Sequence, residues 1–101
     1  MRKHIVYNFE WDPKKDRLNL KEHRIPFERG ATVFRDSDAL TMYDEDHSTD
    51  EDRWITMGHD RAGMLVVVSH TYRKQTESVV TIRMISARKA TKTETYNYER
   101  K

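Results

Sequence analysis

The sequence predicts an α+β fold in which three helices flank an antiparallel β-meander, in the order β-α-α-β-β-β-β-α. Three observations carry this reading. Helix-start chemistry is confined to the first third of the chain and to its last dozen residues. Alternating and β-branched segments crowd between residues 39 and 87, separated by polar turns. At 101 residues the chain has the length of one domain, with room for one core.

Residues 5–11 alternate with Ile5, Tyr7, Phe9 and Trp11 on one side, the pattern of a first strand. Asp12-Pro13 then starts a helix, the aspartate as N-cap and the proline at the first helical position, where its missing N–H costs nothing. This helix runs to about His23. Leu18 and Leu20 are its only strongly apolar residues, so it is read as a surface helix with a narrow buried face. Pro26 breaks it, and Phe27, Ala31 and Phe34 give a short second helix over 27–34. Residues 39–43 form a short strand. Residues 44–52 form an acidic loop, too charged to pack. Strands follow at 53–59, 64–72 and 79–87, the first two joined by a hairpin turn at 60–63. The segment 64–72 is the most apolar and is placed at the centre of the sheet. Thr91 and Glu94 have capping-box spacing and open a last helix to about Arg100.

The absence of cysteine excludes a disulfide framework, a thiolate nucleophile and a thiolate metal site. The longest apolar run, Met64-Leu65-Val66-Val67-Val68, is far short of the roughly 20 residues of a membrane span. Met1 to Tyr7 contains no apolar leader core, so the expected location is the cytoplasm. Charge is segregated. Residues 36–52 carry eight acids and no lysine or arginine, so the rest of the chain is net +10 against an overall +2. A basic remainder of this kind attracts phosphates; the acidic loop reads equally as a solubilising surface. There is no internal repeat and no phosphate-cradling glycine loop.

Several stretches together resemble the BrnT toxin family, the ribonuclease half of a bacterial type II toxin–antitoxin pair with a RelE-like fold. They are Phe9-Glu10-Trp11-Asp12-Pro13-Lys14-Lys15, Asn19-Leu20-Lys21-Glu22-His23-Arg24-Ile25-Pro26-Phe27-Glu28 and Ala31-Thr32-Val33-Phe34-Arg35-Asp36. Asp46-His47-Ser48, Glu51-Asp52-Arg53-Trp54-Ile55-Thr56-Met57-Gly58 and Leu65-Val66-Val67-Val68 follow at family spacing. The most specific stretch is Ile82-Arg83-Met84-Ile85-Ser86-Ala87-Arg88-Lys89-Ala90-Thr91, running into Glu94. One position departs: the family usually has glycine after the Lys–His pair, and here it is Arg24, which removes the residue best suited to a left-handed helix end.

The resemblance implies metal-independent RNA cleavage with no cofactor, and translation inhibition. It also implies a BrnA-like antitoxin in a 2:2 complex, with operator DNA contacted only through that antitoxin and no membrane partner. In RelE-like chemistry the RNA's own 2′-hydroxyl attacks the adjacent phosphate. That needs a base, cationic donors for the phosphorane and an acid for the 5′-oxygen. Arginine suits the middle role because its planar fork matches two phosphate oxygens.

Arg83 is the first candidate, a charge inside a β-branched strand at the family's arginine position; without that position it would read as a wet-face charge. Arg88 ends the same strand, and Arg53 opens another beside the acidic loop, where an ion pair with Glu51 or Asp52 is the alternative. His23 could carry a proton or simply complement a helix C-terminus. Glu51 is a candidate base if Arg53 holds it. Lys21 and Lys89 are read as phosphate contacts, and His70 and Tyr72 as base-stacking or proton-donating groups with packing as the alternative. A metal hydrolase is disfavoured, since the five histidines form no i, i+4 pair and the 44–50 stretch lacks a calcium-loop glycine. The remaining rival is a non-catalytic RNA- or protein-binding module of the same fold.

Overall fold

The computed structural model describes residues 4–100; residues 1–3, the start of the stretch read for a leader, and Lys101 lie outside it. Five strands, β1 (Val6–Glu10), β2 (Leu40–Tyr43), β3 (Trp54–His59), β4 (Leu65–Lys74) and β5 (Val79–Lys89), form one sheet in the order β1-β5-β4-β3-β2. Helices α1 (Pro13–His23), α2 (Phe27–Gly30) and α3 (Lys92–Arg100) complete the expected order. Strands β2 to β5 make the antiparallel meander. β1 pairs with the last strand instead of the next one, parallel to β5 with Val6 opposite Val79. The most apolar strand, β4, is central, as its composition requires.

The local signals act as read. The Asp12 carboxylate accepts from the Lys14 N–H at 2.9 Å, and Pro13 begins α1. Thr91 and Glu94 make a reciprocal capping box, with the Thr91 N–H donating to Glu94 Oε1 at 2.8 Å and the Glu94 N–H to Thr91 Oγ1 at 3.1 Å. Gly63 turns the β3–β4 hairpin at φ 82°.

Two expectations change. The helix expected over 27–34 is only one α-turn, α2, continued by a 3-10 segment, Ala31–Arg35. Here Gly30 lies so close to β5 that a Cβ would stand 3.0 Å from that of Ala87. The buried face of α1 is not made by its leucines, which are 55% and 45% exposed, but by Asn19, 5% exposed.

Ile25, Phe27, Ala31 and Val33 pack on Val66, Val68, Val80, Ile82, Met84 and Ala87, with Phe9, Trp11, Phe34 and Met64 at the margin. The core therefore lies on one face of the sheet. No helix among the described residues is long and apolar enough to cross a membrane.

Candidate active site

The face of the sheet turned away from this core holds the arginines, and a β-bulge is the reason. In a regular strand Arg83 and Arg88, five residues apart, would point to opposite faces. In β5 the pairing with β4 jumps from Ser69–Ser86 to His70–Met84, leaving Ile85 unpaired. Met84 and Ala87, three apart, therefore both enter the core, and Arg83 and Arg88 both leave it. Bulges commonly re-aim side chains beside functional sites. Extending the β3–β4 register by one residue sets Arg53 opposite Thr71, which pairs on its other side with Arg83. These two arginines share a row across three strands, roughly 10 Å apart at Cα.

Glu51 ties this row together. Arg83 Nη2 lies 2.5 Å from each Glu51 carboxylate oxygen, and Arg53 Nη2 is 4.0 Å from Oε1. The Arg83 hydrogen bond lowers the Glu51 carboxyl below its ordinary range against the opposing effect of burial, helped by the charges of Arg83, Arg53 and Lys15. Arg53 Nε is buried and has no hydrogen-bond partner among the described residues. Arg88 makes a bidentate pair with Glu94 at 2.8 and 2.9 Å. That bond, with the Thr91 amide, outweighs burial and holds the Glu94 carboxyl at about 2.

The acidic loop stays in solvent as expected, with Asp44 and Ser48 alone half-buried, but it is not loose. Its ends are welded together. The Asp44 N–H donates to the Arg53 carbonyl at 2.9 Å. The Ser48 hydroxyl donates to the Asp44 carbonyl at 2.5 Å and accepts from the Arg53 N–H at 2.9 Å. The loop so closed forms one wall of a cleft of about 450 Å³ whose other walls are Arg53, Arg88, Ser69 and Ser86; His47 and Asp44 face into it. A second hollow of about 250 Å³, lined by Lys15, Leu18 and His23, meets the cleft at Ile85 and Ser86. A third of about 320 Å³ holds Arg83, Glu51 and Tyr72.

Of the residues singled out in the sequence, Arg53, Arg83, Arg88, Glu51 and His23 lie along this face, and Tyr72, 49% exposed, borders the Arg83 hollow. Three do not join them. His70 is 1% exposed and lies in the core, with Nε2 at 2.7 Å from the Thr56 hydroxyl, Nδ1 at 2.9 Å from the Thr71 carbonyl and Phe34 edge-on. Burial, against the Thr71 bond, pulls its pKa down, and it cannot stack a base from there. Lys21 is turned roughly 200° around α1 from Asn19 and so away from the sheet. Lys89 alternates to the face opposite Arg88.

Sequence reasoning missed Lys15 and His47. Lys15, Asn19 and His23 share a helix face by their four-residue spacing, which is a signal that was there to be read. His47 stood in one of the family-like stretches, but nothing local shows that its loop is tied back to Arg53 and borders the arginines. Among the described residues no three His, Asp or Glu side chains cluster as a metal site.

Residues 11–94 match the model of a family described as ribonuclease toxin, BrnT, of type II toxin–antitoxin systems. Among solved structures the chain is similar to the crystal structure of the Brucella abortus ribonuclease toxin BrnT, with a TM-score of 0.58 and 20% identity over 86% of this chain and 100% of that one. At that identity the likeness speaks for the fold alone. No curated protein sequence matches.

Proposed function

Since the chain belongs to the BrnT family of ribonuclease toxins of type II toxin–antitoxin systems, we propose that it is a metal-independent endoribonuclease that inhibits translation by cutting RNA through 2′-hydroxyl attack. The observation that carries this reading is the gathering of guanidinium groups, distant along the chain, on one face of the sheet: Arg53 and Arg88 in one cleft, with Arg83 joined to Arg53 through Glu51.

In the proposed reaction the 2′-oxygen bonds to phosphorus as its proton leaves to a base. The phosphorane charge is met by the guanidinium groups, and the P–O5′ bond breaks as an acid protonates the 5′-oxygen. The products are a 2′,3′-cyclic phosphate and a 5′-hydroxyl. DNA, lacking the 2′-hydroxyl, is not a substrate. The Arg53 side chain, 35% exposed and with Nη2 no nearer than 4.0 Å to Glu51, supports a group still able to bind an oxyanion. Glu51, held as carboxylate by Arg83, is a weak base and is better suited to fixing the two arginines until phosphate replaces it. His23, at the rim, is the acid of this scheme.

Type II membership implies an antitoxin partner. A BrnA-like antitoxin in a 2:2 complex would cover the arginine face and carry any operator DNA contact; the cytoplasm is the corresponding site of action. The test is purified protein with RNA in EDTA, followed by end-group analysis. Cleavage to cyclic-phosphate ends is expected, and Arg83→Ala should keep the fold while losing at least tenfold in rate, about 1.4 kcal/mol of transition-state stabilisation. RNA that is retarded on a gel and never shortened would make the protein a binding module instead.

A further inference from the structure

The arginine face supplies charge but leaves open which group removes the 2′-hydroxyl proton. Resting on the nuclease reading above, we infer that His47 is the general base and Asp44 its positioning residue.

The pair is built like other carboxylate–imidazole couples. His47 Nδ1 lies 3.0 and 3.1 Å from the two Asp44 carboxylate oxygens. A carboxylate only accepts hydrogen bonds, so Nδ1 carries the proton and the Nε2 lone pair is left available. Nε2 makes no hydrogen bond among the described residues. The imidazole is 68% exposed and open to a substrate, whereas the Asp44 side chain is only 12% exposed.

Its position is fixed from the backbone. Asp44 and Ser48 are bonded directly to Arg53, so the 3-10 turn Glu45–His47 is tied to the strand that carries the phosphate-binding guanidinium. The substrate demands such a neighbour, because the 2′-oxygen and the phosphorus it attacks are adjacent in the RNA. The cleft that His47 lines contains both Arg53 and Arg88. His23 lies across the Ile85–Ser86 bulge, in the adjoining hollow, on the side suited to the leaving oxygen. In the step, Nε2 takes the 2′-hydroxyl proton as the O2′–P bond forms, the P–O5′ bond breaks, and the His23 imidazolium gives its proton to the 5′-oxygen. Exchange with water then resets both rings.

The charged groups facing His47 are Asp44 and Asp46 from its own segment, Arg53 at the head of β3 and Arg88 from β5. The experiment uses the full chain, a pool of single-stranded oligoribonucleotides and EDTA throughout. His47→Ala should lower kcat at least a hundredfold, leave KM within about threefold, keep the far-UV circular dichroism and regain activity with added imidazole. Asp44→Asn should lower kcat about tenfold with KM within about threefold, and Asp44→Glu should regain at least half of the lost rate.

A His47→Ala variant within twofold of wild type would overturn the inference, as would one that is folded and inactive but unresponsive to imidazole. An unchanged kcat in Asp44→Asn, or no recovery in Asp44→Glu, would remove the positioning role. If wild type cleaves and Arg53→Ala does not while His47→Ala does, this inference alone fails. If wild type never cleaves, the nuclease reading fails first.

Discussion

Arg24 sits at the end of α1 with φ 62° and ψ 22°, the only non-glycine residue with positive φ among those described. Its N–H reaches back to the Leu20 carbonyl at 2.9 Å, closing the helix. The left-handed conformation that the family position calls for is thus adopted without glycine, and an L-residue there carries a strain of about 1–2 kcal/mol. Part of that would be regained by glycine, whose greater freedom in the unfolded chain offsets the rest. Arg24→Gly is therefore expected to stabilise the protein by about 0.5–1 kcal/mol, a rise in Tm of roughly 4 °C measured by calorimetry. At the same scale Glu94 serves two elements, completing the α3 capping box through Thr91 and holding Arg88 on the sheet. A change at Arg88 thus loosens a helix start as well as removing a charge.

Between elements, the decisive join is α1 on β5. β1 covers β5 only as far as Arg83, so the later part of that strand has an open edge. Asn19 closes it. Its amide nitrogen donates to the Ile25 and Ala87 carbonyls at 2.8 and 2.9 Å, and its oxygen accepts the Ala87 N–H at 3.1 Å. A buried edge without these bonds would leave backbone groups unsatisfied. Asn19→Ala should cost about 3 kcal/mol, read as a lower urea midpoint with an unchanged m-value. Because Ala87 follows the bulge directly, the same variant should also loosen the geometry that aims Arg88. The 44–53 loop is the second such join, bringing His47 and Glu51 to the head of β3.

Across the whole molecule, stability is expected to be highest between about pH 6.5 and 10. Burial tends to raise the Asp36 carboxyl, but the Tyr98 hydroxyl at 2.6 Å, the His59 and Asp38 amides and the His59 charge outweigh it and hold it at about 2. Glu94 is held at about 2 as well, chiefly by Arg88. Both carboxyls are depressed in the fold, so their contribution is present above about pH 4.5 and is lost as pH falls toward 2. Asp36 supplies on the order of 2 kcal/mol. His70 is kept below its usual value by burial, so stability starts to fall below about pH 6.5, where the unfolded chain binds the proton more readily. Tyr98 is pushed up to about 12 by burial, by its bond to Asp36 and by the charges of Asp36 and Asp38. The unfolded tyrosine loses its proton first, and stability declines above about pH 10. Urea midpoints measured from pH 2 to 11 would trace this dome, and Glu94→Gln should flatten its acid flank.

What the sequence determined alone was local chemistry: Asp12-Pro13 opening α1, Thr91 and Glu94 opening α3, the apolar 64–72 segment at the centre of the sheet, and arginines at strand positions where a charge must face outward. Such signals act within a turn or two of chain, so they can be read without partners. The tertiary structure decided the rest. The two-residue period predicts opposite faces for Arg83 and Arg88, and only the pairing with β4, which skips Ile85, sets them on one. His70 shows the reverse limit, since a polar residue on the central strand has two readings in the sequence, and only the contacts with Phe34 and Thr56 decide that it packs in the core. The acidic loop stays in solvent as its charge requires, yet where it is pinned depends on hydrogen bonds that form only once its two ends have met. A side chain's type is written in the chain, but its neighbours come from register and packing between segments far apart along it.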